Sequence, residues 1–64
     1  MQYVPRSQLI IVKADLRRAD AALTHARGVF ISSGAARDAA AINALIDRIA
    51  HLIARIDRAL TAKP

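Results

Sequence analysis

The residues with the best claim to chemistry are Asp47 and His51, four positions apart in the second half of the chain. On a helix this spacing puts both side chains on one face, where a carboxylate can orient an imidazole for acid–base work. The plainer account is a surface helix pair contributing ~0.2–0.5 kcal/mol, and it outweighs the catalytic one. Nothing else builds on the dyad. The chain has no cysteine and no glutamate, and its serines, Ser7, Ser32 and Ser33, stand where caps and turns account for them. Gly28 and Gly34 are isolated, without the flanking strand of a phosphate-binding loop. His25 and His51 are too far apart for a local ligand pair, and thiolate metal sites are excluded. The expectation is a protein that is not an enzyme and uses no cofactor or metal.

The cationic pattern is better populated. Wound as a helix, the second half carries Arg37, Arg48, His51, Arg55 and Arg58 along one flank of its apolar stripe, with Asn43, Ala50, Ala54, Asp57 and Thr61 along the other. Arginine presents a planar fork of donors that suits carboxylate or phosphate. The competing account is that these arginines lay their stems over the helix and stay solvated. The first half has a thinner stripe, Arg6, Lys13, Arg17 and Arg27, interrupted by Asp20 and Thr24. There Asp15–Arg18 and Arg17–Asp20 can pair locally and cancel charge. Tyr3 and Phe30 are the only aromatics, so bases have nothing to stack on beside either stripe.

Overall charge agrees with this reading. The net charge is +5, from ten Lys and Arg against five acids, and the pI is about 11.2. Such a balance suits nucleic acid, an anionic membrane or an acidic protein. The longest early apolar run, Leu9–Val12, is too short for a signal sequence, and no stretch approaches the ~20 apolar residues of a membrane span. A cytoplasmic protein is expected.

The elements that must position these residues follow from the apolar spacing. Residues 1–6 read as a short arm, with Val4 held out of helix by Pro5. Ser7 is the expected N-cap, and a first helix spans about 8–31. Leu9, Val12, Leu16, Ala19, Leu23, Ala26 and Phe30 give it a narrow seam, and Phe30 keeps register beyond Gly28. Residues 32–34, Ser-Ser-Gly, form the turn. A second helix spans about 35–61, with Asp38 near its positive end and Arg55, Arg58 and Lys63 near its negative end.

The second helix has the wider apolar face. Ile42, Leu45, Ile46, Ile49, Leu52, Ile53, Ile56 and Leu60 lie within an arc of roughly 140°. One antiparallel partner needs a narrower stripe, so these eight are the expected core of a homodimeric four-helix bundle, two all-α hairpins paired. A core from only 64 residues is worth ~3–5 kcal/mol, and with no disulfide to add, oligomerisation is the remaining staple. Outside the first seam, Ala14, Ala21 and Gly28 recur every seven residues, where small side chains permit close approach or simply suit a helix. Ile10 and Ile11 also lie off the seam and, with Tyr3 and Val4, offer an apolar patch at the bundle's end.

In length, helix number, short turn and expected pairing the chain resembles the Rop-type RNA-binding hairpins. The likeness is architectural and supplies no residue roles. In general composition the chain is also similar to small phage or plasmid regulators that block a host protein. The leading expectation is therefore a homodimeric bundle that binds and modulates, or inhibits, another protein through Arg48, His51, Arg55 and Arg58 together with Tyr3, Ile10 and Ile11. A Rop-like nucleic-acid binder ranks second. A membrane-active amphipathic peptide ranks third, because a matching helix upstream covers the apolar face and the chain has no tryptophan.

Overall fold

Two helices and one turn make up the computed structural model, which describes residues 3–62. Helix α1 is Arg6–Ser32 and helix α2 is Ala36–Thr61, packed together as an antiparallel hairpin. Lys63, expected near the negative end of the second helix, lies outside the described residues, as do Pro64 and, in the arm, Met1 and Gln2.

The first helix begins earlier than its Ser7 cap would place it. Pro5 occupies the cap position with φ −57° and ψ 146°, and its carbonyl accepts from the N–H groups of Gln8 at 3.0 Å and Leu9 at 3.1 Å. The proline ring already holds φ near the helical value, so Arg6 and Ser7 join the helix and no side chain caps it. At the other end α1 runs through Gly28 to Ser32, so the glycine does not end it. The stop comes at Gly34, which takes φ +78°. The N–H of Gly34 donates to the Ile31 carbonyl at 3.1 Å and that of Ala35 to the Phe30 carbonyl at 2.8 Å. This is the paired closure of a Schellman motif, and it requires a residue free to take positive φ. The turn is thus Ser33–Gly34–Ala35, one residue later than the sequence suggests.

Packing follows the three-four spacing, with one departure. Leu9, Ala39 and Ile56 are buried, and Leu16, Ala19, Leu23, Ala26 and Phe30 meet Ile42, Ile46, Ile49, Ile53 and Leu60 half-buried along the seam. Val12, expected in that seam, stays 41 % exposed. Val12 stands about 60° to one side of Leu9 around the helix, whereas Lys13 stands about 40° to the other side and is the half-buried residue of that turn. The true seam of α1 follows Leu9, Leu16, Leu23 and Phe30, and Val12, Ala19 and Ala26 stand three residues beyond each, on its edge. In α2, Leu45 and Leu52 stand on the corresponding edge and remain 46 % and 41 % exposed. One hairpin therefore covers six of the eight residues of the wide apolar arc. The molecule is a rod, 49 × 15 × 15 Å.

Candidate interaction surface

Which cations remain available depends on how the helices sit together. Three of the four in the thin stripe of α1 are turned toward α2. Lys13 forms an ion pair with Asp57. Arg27 Nη1 donates to Asn43 Oδ1 at 2.7 Å, and Arg6 Nη1 donates to the Leu60 carbonyl at 2.6 Å. These bridges lie along one edge of the seam. Lys13, Asp20 and Arg27 come four residues after Leu9, Leu16 and Leu23, so this edge is the opposite one from Val12, Ala19 and Ala26. Of the two local pairs expected in α1, Asp15–Arg18 forms. Among the described residues no Arg17–Asp20 pair is present; Arg17 is exposed beside Ile10, Lys13 and Ala14.

The second helix keeps its cations outward. Arg48, His51 and Arg55 border a shallow hollow of about 240 Å³ with Leu52, and Arg37 and Arg58 are also exposed. Among the described residues none of these arginines pairs with a carboxylate, the ion pairs being Lys13–Asp57 and Arg18–Asp15. Asp47 and His51 share no hydrogen bond or ion pair, so the dyad with the best sequence claim to acid–base chemistry is not assembled. Among the described residues no cluster of three His, Cys, Asp or Glu side chains converges to hold a metal ion. No described helix is long and apolar enough to cross a membrane.

The remaining candidates are exposed but not gathered together. Tyr3 is 92 % exposed in the arm, and Ile10 and Ile11 are both exposed on α1. Successive residues diverge by 100° around a helix, so Ile10 turns toward the bridged edge of the hairpin and Ile11, about 200° from Leu9, toward the outer face of α1. The Arg48, His51, Arg55 and Arg58 group is on the other helix, facing outward. Val29 and Ile31 are further exposed apolar residues near the turn, not singled out by spacing. Leu45 and Leu52, two of the eight residues expected in the dimer core, sit seven apart at one margin of the arc. The single hairpin leaves them exposed, and they form an apolar edge with Val12.

Comparison of the chain with protein-family models, curated proteins and solved structures finds no match. The class defined by the fold is an all-helical, two-helix hairpin with a basic outer face on α2.

Proposed function

We propose that this chain is a non-enzymatic interaction protein of the cytoplasm, a homodimeric helical bundle that binds an acidic surface on another protein and modulates it. The observation that carries this reading is the division of charge between the helices. Lys13, Arg27 and Arg6 are spent bridging α1 to α2, whereas Arg48, Arg55 and Arg58 project from α2 without carboxylate partners among the described residues. Arginine beside exposed leucine, as at Arg48, Leu52 and Arg55, is the mixture found at protein contacts. A phosphate backbone would also suit the arginines. Neither aromatic is on α2, however, and the stripe of α1 that would extend the basic footprint is turned inward.

The test pairs two ligands with one variant. Arg48→Ala with Arg58→Ala should leave the helical signal intact, since solvated charges contribute only ~0–1 kcal/mol. The double variant should lose binding to acidic polypeptide. Binding of the parent chain to mixed RNA and DNA at about 150 mM salt should be weak and unselective, with Kd on the order of 10⁻⁴–10⁻⁶ M. Tight, structure-selective nucleic-acid binding that the double variant loses would overturn this reading in favour of the Rop-like one.

A further inference from the structure

The uncovered edge of the hairpin carries a pattern specific enough to say how a second copy would sit on it. This rests on the homodimer in the proposed function and adds its geometry. The Lys13–Asp57 and Arg27–Asn43 bridges set the heights of the two antiparallel helices. In that register Val12 lies level with Ala59, Ala19 with Leu52, and Ala26 with Leu45. Each layer of the open edge therefore has one large side chain and one small, and the large one changes helix between the first layer and the next two. Just outside this apolar strip, Asp15 borders it on α1, while Arg48 and Arg55 border it on α2. Asp15 is level with Arg55, and Ala22 with Arg48.

The hairpin is a rod of 49 × 15 × 15 Å that exposes 4962 Å², against about 4000 Å² for a compact monomer of its 6.9 kDa, so side-by-side pairing would bring its surface nearer the compact value.

Two symmetric arrangements bring this face onto itself. With the two-fold axis across the rod, the turns lie at opposite ends and α2 packs on the partner's α2. Full overlap of the two strips puts this axis at the height of Leu52, with Arg48 beside the partner's Arg55 and Leu52 against the partner's Leu52. With the axis along the rod, the turns lie at the same end and α2 packs on the partner's α1. Leu45 then meets the partner's Ala26, Leu52 meets the partner's Ala19, and Ala59 meets the partner's Val12. Arg55 reaches the partner's Asp15, whose Oδ1 is held by its own Arg18 and whose Oδ2 is left to accept. In the crossed arrangement Leu45 also meets the partner's Ala59 and Val12 the partner's Ala26, but Leu52 meets the partner's Leu52 and like charges adjoin. Only in the second arrangement does every large side chain meet a small one and do opposite charges meet. We infer that two copies dock through the Val12–Ala19–Ala26 and Leu45–Leu52–Ala59 edge about an axis parallel to the helices, turns together, with Arg55 of each copy paired to the partner's Asp15. Arg48, His51 and Arg58 then stay available for a third protein.

The experiment uses the full chain. Sedimentation should give a mass of twice 6.9 kDa. Arg55→Asp and Asp15→Arg should each raise the dimer dissociation constant about tenfold, as two exposed ion pairs are replaced by repulsion, and the double variant should recover the parent value. In the crossed arrangement Arg55→Asp would instead tighten the dimer by relieving the Arg48–Arg55 repulsion. The position of the turns provides a readout independent of these charges. The chain has no cysteine, so Ser32→Cys carries a single spin label at the turn end. Label-to-label distances of roughly 20–30 Å, the width of a bundle, are expected. Distances near the 49 Å length of the rod, or tightening by Arg55→Asp, overturn the arrangement and leave the homodimer standing. A folded monomer at all concentrations overturns both.

Discussion

The two edges of the helix–helix seam are closed by different means. Along one, Lys13, Arg27 and Arg6 reach across to Asp57, Asn43 and the Leu60 carbonyl. Along the other, Val12, Leu45 and Leu52 leave apolar surface in water. Both edges flank the same row of Leu, Ile and Phe side chains. The difference is that polar bridges satisfy an edge within one hairpin, whereas an apolar edge is satisfied only by covering it. A charged edge also repels further packing, because burying Lys13 and Asp57 would cost their hydration. The hairpin thus has one edge bridged by its own polar side chains and one left apolar and partly exposed.

The largest expected effect separates burial inside the hairpin from burial at the open edge. Ile56 is 3 % exposed, and Ile56→Ala should cost ~2–5 kcal/mol in urea unfolding, enough to lose the fold if the hairpin is marginal. Leu52→Ala should cost less than ~0.5 kcal/mol wherever the chain is monomeric. Its cost should rise toward that of Ile56→Ala at protein concentrations where the open edge is covered. An equal and concentration-independent cost for both variants would erase the distinction between the edges.

Next in size is a contrast between the two glycines, which tests the turn that holds the edges in register. Gly34 has φ +78°, and Gly34→Ala should destabilise by ~1–2 kcal/mol. Gly28 is in the middle of α1, with nothing within 4 Å of where a Cβ would stand. Gly28→Ala should therefore stabilise by ~0.5–1 kcal/mol. Thermal melting of the two variants reads both signs at once. Destabilisation by Gly28→Ala would mean that the outer face of α1 is in close contact with something the hairpin itself does not provide.

The smallest effect concerns the bridged edge. A double-mutant cycle on Lys13→Ala and Asp57→Ala should give a coupling of ~0.2–1 kcal/mol, shrinking as salt is added, because the pair is partly solvent-exposed. A coupling well above that range would make the bridges a principal source of stability rather than a seal.

Much of this architecture was legible along the chain, because its causes are local. The three-four spacing from Leu9 to Phe30 and from Ile42 to Leu60 sets two helices, since side chains one turn apart share a face whatever lies opposite. Ser-Ser-Gly marks the turn, since glycine readily takes the positive φ that its closure uses. The boundaries moved by one or two residues where Pro5 and the Gly34 closure, not a serine cap, made the end bonds.

What the tertiary structure alone decided was the fate of the edges. Lys13, Arg17 and Arg27 read alike in sequence, as cations along one helix, yet Lys13 and Arg27 are spent across the seam and Arg17 is not. Val12 reads like Leu9, yet it stays in water. The wide arc of α2 showed that one neighbour would not cover it all, but not that Leu45 and Leu52 would be the residues left over. Those outcomes depend on the rotation and height of one helix against the other. A residue's period places it on its own helix, and only the partner helix determines which side of that face is covered.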